Sequence, residues 1–291
     1  MHPEVKYQQA NGVKLAYFER GEPSADRPTI LFVHATGFHG RLWDYQAEAL
    51  ADYHTIALEQ RGHGRSEKVG ANHWHTYAED LAAFIRALEL KNIIAVGHSM
   101  GAHAIADSYG LVKAYNQMIL LDPVIVDPAS YVDDDLEDFA GQLHPASKRR
   151  AEFASTQAMH DSLVQKSSFP RFHPRIFNDY CTYGAESIGD TVRLCCEPEI
   201  EAGVYMSSRT NGRIHEVVPT IDIPVTIVRA KIPKDDGTID FSSSPTWPGL
   251  VERLPQGREL FWSDCSHFVP MERPDDVVQI IREAIARWQS R

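Results

Sequence analysis

The sequence predicts an α/β protein: a mostly parallel sheet with helices on both faces, interrupted by an inserted, mainly helical segment. Three observations carry that reading. Short continuous apolar runs, such as Thr29 to His34 and Ile93 to Val96, have the pattern of strands buried on both faces. Between such runs lie segments whose apolar residues recur at helical spacing. The strand–helix rhythm then stops between about Val126 and Val217 and resumes at Ile223. Alternation of strands and helices implies parallel pairing, because a parallel connection needs a crossover long enough to hold a helix.

Taken in order, Lys14 to Arg20 reads as a strand ending at Gly21, followed by the buried strands Thr29 to His34 and His54 to Leu58. Tyr77, Leu81, Phe84, Ile85 and Leu88 form one apolar stripe, so Thr76 to Leu90 is an amphipathic helix. Ile93 to Val96, Met118 to Leu121, Val225 to Val228 and Glu259 to Trp262 are further strands. Val277, Ile280, Ile281, Ala284, Ile285 and Trp288 mark a C-terminal helix. Residues 1–125 and 218–291 are thus expected to form one core. Residues 126–217 are expected to be an inserted cap, polar and aromatic and without a clear buried strand. Such an insertion belongs over the carboxyl ends of the strands, where open α/β sheets bind ligands.

The chain has 291 residues, is 43% hydrophobic and 24% charged, and carries a formal net charge of −11. That balance suits a soluble globular protein with a sizeable core. An acidic chain repels phosphate backbones and anionic lipid, so neither nucleic acid nor a membrane is an expected partner. The run from Asp133 to Asp138 reads as a solvated acidic face. No stretch reaches the ~20 apolar residues that span a bilayer, and Met1 to Ala10 lacks the apolar core of a signal peptide. Cys181, Cys195, Cys196 and Cys265 form no C-x-x-C pair and read as reduced thiols of a cytoplasmic protein. His73-Trp74-His75 alternates like a pair of metal ligands, but no further ligands complete a set, and no glycine-rich phosphate loop is present. No metal and no cofactor is therefore expected. Association into a homodimer is left open.

The chemistry concentrates at Gly97-His98-Ser99-Met100-Gly101, between a buried strand and a helical segment. That is the context of a nucleophile elbow: a tight turn lifts the serine hydroxyl above the sheet, and small residues two before and two after leave room for it. The helix that follows directs its N–H groups toward developing negative charge. Three further stretches accompany the elbow: His34-Ala35-Thr36-Gly37-Phe38, Gln60-Arg61-Gly62-His63-Gly64-Arg65-Ser66, and Ser266-His267-Phe268 before the last helix. With these, nearly the whole chain outside the insertion resembles the α/β-hydrolase family. The resemblance implies the α/β-hydrolase fold, with Ser99 as nucleophile and His267 as general base. It also implies an oxyanion hole from the backbone N–H groups of Met100 and of Thr36, or else Gly37. Ala35 stands where the family usually has glycine.

The acid that orients His267 has two candidates. Asp122 follows the strand Met118 to Leu121, at the strand end where some branches of the family keep their acid. Asp240 lies in the loop after Val225 to Val228, where the family more often places it, and Asp235 and Asp236 are nearby. Asp122 is favoured. The implied activity is hydrolysis of a small carboxylic ester or lactone through an acyl-enzyme, with no carboxylate nucleophile of the dehalogenase or epoxide hydrolase kind. C–C bond or amide hydrolysis, or perhydrolase or haloperoxidase-like activity, would use the same triad. A receptor-like binding protein with little turnover is the reading from another class. Phe38 and Trp43, in and after the oxyanion loop, are candidate substrate contacts. In the insertion, Ser168 to Arg175 with Tyr180 and Tyr183 mixes aromatic and basic groups, most of the aromatics being expected to form the cap's own core.

Overall fold

The computed structural model describes residues 3–71, 73–132, 144–166, 168–232 and 242–290. In chain order its strands are β1 (Val5–Ala10), β2 (Val13–Arg20), β3 (Thr29–Val33), β4 (Thr55–Leu58), β5 (Ile93–His98), β6 (Tyr115–Leu121), β7 (Glu152–Phe153), β8 (Ala185–Ile188), β9 (Thr191–Leu194), β10 (Val225–Arg229) and β11 (Gly257–Phe261). The helices are α1 (Asp44–Ala49), α2 (His75–Ala87), α3 (Met100–Ser108), α4 (Thr156–Leu163), α5 (Pro174–Tyr183), α6 (Pro198–Met206), α7 (Ile214–Val217), α8 (Val269–Glu272) and α9 (Pro274–Gln289).

Eight strands form one sheet in the order β1-β2-β4-β3-β5-β6-β10-β11. The β1/β2 and β2/β4 pairs are antiparallel and the remaining five are parallel. Period-two alternation assigns each side chain to a layer. Leu31 and Val33 of β3 face the core that includes Leu81 and Phe84 of α2 and Ile105 of α3. Ile30 and Phe32 of the same strand face Trp43 and, from α9, Val277 and Ile281. Every residue of β3, β4 and β5 is buried, which explains why these strands read as continuous apolar runs. The edge strand β1 is exposed along most of its length and mixes polar and apolar residues, and for that reason it carries no such signal.

The stretch between β6 and β10 holds α4 to α7, as the helical patterning implied, but also a three-stranded antiparallel sheet in the order β7-β9-β8. The patterning implies a mainly helical segment without a clear buried strand, and the strands found are short edge-like pieces rather than buried ones. These strands are two to four residues long and only partly buried, so they need no apolar run. A third hydrophobic cluster joins Phe153, Met159, Phe172, Phe177 and Tyr180 of this stretch to Ala35, Phe38 and Met271. It seals the stretch onto the loops that follow β3 and β11. The acidic run Asp133 to Asp138 lies outside the described residues. Among the described residues no helix is long and apolar enough to cross a membrane.

Candidate active site

Parallel register brings the site together. His98 at the end of β5 is level with Leu121 at the end of β6, so Ser99 and Asp122 leave adjacent strands at the same height. Ser99 sits at φ 57°, ψ −118°, a conformation that a side chain adopts only when its surroundings hold it there. Its N–H donates to the Leu121 carbonyl (3.0 Å) and its carbonyl accepts from the His103 N–H (3.1 Å). The flanking glycines are dictated by contact. A Cβ on Gly101 would lie 2.4 Å from the Val33 oxygen, and one on Gly97 would lie 2.7 Å from the Cα of Ala102. The elbow can therefore press α3 against β3 only with glycine at both places.

Asp122 is fully buried and has φ 46°, a left-handed conformation that aspartate tolerates better than most residues. Its Oδ2 lies 2.6 Å from Nδ1 of His267, whose Nε2 lies 3.0 Å from Ser99 Oγ. A carboxylate can only accept, so Nδ1 carries the imidazole proton and the Nε2 lone pair faces the serine hydroxyl. Oδ1 of Asp122 accepts from the Ala230 N–H (2.9 Å) and the Ser244 hydroxyl (2.5 Å). The Thr246 hydroxyl lies 3.2 Å from Oδ1 and donates to the Pro123 carbonyl at 2.7 Å. Both carboxylate oxygens are thereby engaged. Of the other acid candidates, Asp235, Asp236 and Asp240 lie outside the described residues.

His267 is held from its backbone as well. Its N–H donates to the Ser242 carbonyl (2.7 Å), and its own carbonyl accepts from Nε2 of His98 (2.8 Å). Burial and the neighbouring His267 keep His98 far below the usual histidine range, so it stays a neutral donor. Sequence reasoning assigns the supporting Ser244 and Ala230 no role, because neither lies in a recognisable motif.

Among the described residues, the backbone N–H groups of Thr36 and Met100 have no hydrogen-bond acceptor, and the Thr36 hydroxyl meets the Met100 sulfur at 3.6 Å. The loop bearing Thr36 is pinned by His34. Nδ1 of His34 donates to the Ala35 carbonyl (2.7 Å), while Nε2 accepts from the Gln60 N–H (3.0 Å). Burial, with His63 nearby, lowers the His34 pKa to about 3. Burial likewise brings His63 down to about 4. The stretch Gln60 to Ser66 is locked in turn by the bidentate Arg61–Asp80 pair (2.5 and 2.6 Å).

Phe38 packs among His98, Phe172, Tyr180 and Phe268, with ring centroids 5.5–6.4 Å apart, directly beside the triad. Trp43 does not reach the site. Its ring stacks on Phe32 at 5.0 Å in the layer beneath the sheet, so it is a core residue and the expectation of a substrate contact is corrected. The His73 and His75 pair serves packing and polar contacts, with His75 Nδ1 2.6 Å from Asp107. All four cysteines are free and buried.

Known proteins give the arrangement its context. A model of the alpha/beta hydrolase family matches residues 30–280. Epoxide hydrolase A of Mycobacterium tuberculosis is 34% identical over 105 residues, which covers 34% of this chain and only about a third (32%) of that protein. The 2-(acetamidomethylene)succinate hydrolase of Mesorhizobium japonicum is 28% identical over 212 residues, covering 71% of this chain and 72% of that one. The crystal structure of an E-2-(acetamidomethylene)succinate hydrolase superposes with a TM-score of 0.74 at 22% identity, over 97% of this chain and 98% of that chain, a likeness of fold. With the family model spanning most of its length, this chain belongs to the alpha/beta hydrolase family.

Proposed function

We propose that the protein is a serine hydrolase that cleaves a small carboxylic ester or lactone through an acyl-enzyme. The observation that carries the reading is the continuous hydrogen-bonded chain from Ser99 through His267 to Asp122. Ser99 Oγ attacks the carbonyl carbon as His267 Nε2 takes its proton. Asp122 holds the imidazole tautomer and stabilises the imidazolium that forms. The Thr36 and Met100 N–H groups receive the oxyanion, each such donor contributing about 3–4 kcal/mol where it has been removed in related chemistry. His267 then returns the proton to the leaving oxygen. In the second half-reaction it takes a proton from water, which attacks the acyl carbon and frees Ser99. Phe38, packed against His98 and Phe268, is the substrate contact of this reading.

A second reading, hydrolysis of an amide by the same residues, is favoured by the relative of 2-(acetamidomethylene)succinate hydrolase type, which shares most of the chain's length. The test is turnover of 4-nitrophenyl esters of graded chain length, a lactone panel and matched anilides, with Ser99→Ala as control. Ester or lactone turnover that Ser99→Ala abolishes, together with labelling by a fluorophosphonate probe, supports the first reading. Activity on anilides alone supports the second. A wild-type protein that neither turns over nor labels overturns both.

A further inference from the structure

The stretch between β6 and β10 sets a charged cluster against Gly37 in the loop that follows β3. An ideal Cβ on Gly37, whose φ is 77°, would lie 2.9 Å from Glu201 Oε1 and 3.5 Å from Arg149 Nη1. Arg149 Nη1 bonds Glu201 Oε2, and Nη2 donates to the Tyr180 hydroxyl at 2.9 Å. Glu201 is buried, Tyr180 is 2% exposed, and the Tyr180 ring packs edge-on against Phe38. The guanidinium is therefore fixed in direction by two buried partners and stands one residue along the loop from the Thr36 N–H.

The cluster is buried on one side and open on the other. The Arg149 side chain retains 31% of its exposure, and among the described residues only two of its five N–H donors have partners. Tyr205, whose hydroxyl lies 3.4 Å from Glu201, is 38% exposed. Burial nevertheless pushes its phenol well above the usual range. The part of Arg149 that stays exposed thus stands beside the loop on which the acyl group would be held.

A rigid planar fork with unfilled donors matches a carboxylate, which it can take bidentately. Glu201 compensates the guanidinium charge and aims it, so the match is one of hydrogen-bond geometry and selects for position. The guanidinium lies within about 10 Å of the Thr36 nitrogen, since Gly37 is one residue away along the chain. We propose that Arg149 is a specificity-determining residue that receives a second carboxylate on the acyl part of the substrate. The preferred substrate is then a half-ester, half-amide or carboxylated lactone of a short dicarboxylic acid. This rests on the acyl-enzyme reading for the position of the scissile carbonyl.

The experiment compares kcat/KM for 4-nitrophenyl hemiglutarate with that for neutral 4-nitrophenyl valerate in wild type, Arg149→Met and Arg149→Lys. The wild type is expected to favour the hemiglutarate at least tenfold. In Arg149→Met that ratio should fall about 100-fold, chiefly through the KM for the hemiglutarate. Arg149→Lys, which keeps the charge and loses the fork, should restore only part of the ratio. Calorimetry with glutarate gives a readout that needs no turnover: binding by Ser99→Ala, and its loss in Ser99→Ala/Arg149→Met. An unchanged ratio, a parallel loss on both esters, or a wild type that prefers valerate overturns the assignment to Arg149. If glutarate binding depends on Arg149 while no ester is turned over, the hydrolytic reading fails and the carboxylate site stands.

Discussion

Replacing Asp122 by asparagine tests the site most sharply, because the surroundings of the carboxylate dictate which way the amide must turn. Oδ1 of Asp122 receives two donors, the Ala230 N–H and the Ser244 hydroxyl. An amide nitrogen there would set donor against donor, whereas the amide oxygen keeps both bonds. In Asp122→Asn the amide oxygen therefore takes the Oδ1 place and the NH2 group occupies the Oδ2 place, 2.6 Å from Nδ1 of His267. An NH2 group can only donate, so His267 must shift its proton to Nε2 in order to accept at Nδ1. The protonated Nε2 then faces Ser99 Oγ at 3.0 Å and has no lone pair with which to receive the serine proton. In a serine protease the same aspartate-to-asparagine change costs about 10⁴ in kcat, equivalent to about 5.4 kcal/mol of barrier. We expect a loss of that order with KM little changed, no fluorophosphonate labelling on the minute scale, and a melting temperature within a few degrees of wild type. The assay is steady-state hydrolysis of a 4-nitrophenyl ester, with Asp240→Asn alongside. Near-normal kcat in Asp122→Asn, with collapse in Asp240→Asn, would refute the reasoning and move the acid to the loop after β10.

Two further outcomes follow from packing and from the buried imidazoles. A Cβ on Gly101 would meet the backbone oxygens of Val33 and His34 at 2.4 and 2.5 Å, so Gly101→Ala must push α3 away from β3 and carry the Met100 N–H with it. We expect a loss of about 2–4 kcal/mol in urea unfolding and at least 100-fold in kcat; a variant with wild-type stability and rate would contradict the close approach. His34, His39, His63 and His98 are buried, with burial lowering each below the usual histidine range. Below about pH 6.5 the unfolded chain binds protons at these four positions that the folded one refuses, so stability is full above that pH and falls as pH drops, by about 1.4 kcal/mol per pH unit per group. Buried His103 is lowered as well and adds to the loss, whereas His75, which Asp107 raises, has its contribution complete below about pH 6.5 and does not offset the fall there. The melting temperature should therefore drop steeply between about pH 6.5 and 5, and a flat profile over that window would show that the imidazoles are not held neutral.

What the sequence could and could not reveal divides along a physical line. Ser99 and the strands that carry it are local: a buried strand, a tight turn and a helix are contiguous in the chain, and each leaves its own pattern. The glycines at positions 97 and 101 are required by contacts within a few residues or with the adjacent strand, so the motif encodes them. The choice between Asp122 and Asp240 depends instead on which strand end stands next to His267. That is set by the β5/β6 register and by a loop 145 residues away, and no local pattern reports it. Trp43 misled for a related reason. Its place just after the oxyanion loop is a matter of sequence distance, while the turn at Gly40–Trp43 sends its ring below the sheet onto Phe32. The short β7 to β9 strands escaped because an exposed sheet does not need apolar residues.

The contact of greatest consequence for substrate is the least local of all. Arg149 and Glu201 meet each other across 52 residues and meet Gly37 across more than 100, on elements with no shared motif. On the proposed reaction the strand ends carry the groups that act on the acyl carbon, and these were legible because every such turn meets the same geometric demand. The groups proposed to touch the rest of the acyl chain come from the stretch between β6 and β10, whose packing demand is to close over the loops. Many sequences meet that demand equally well. Glu201 and Tyr180 account for two of the Arg149 donors, and the burial of Glu201 explains why a cation stands there, but among the described residues the other three donors have no partner. That excess of polar capacity beside an aromatic cluster is the reason to look for the substrate's second charge there.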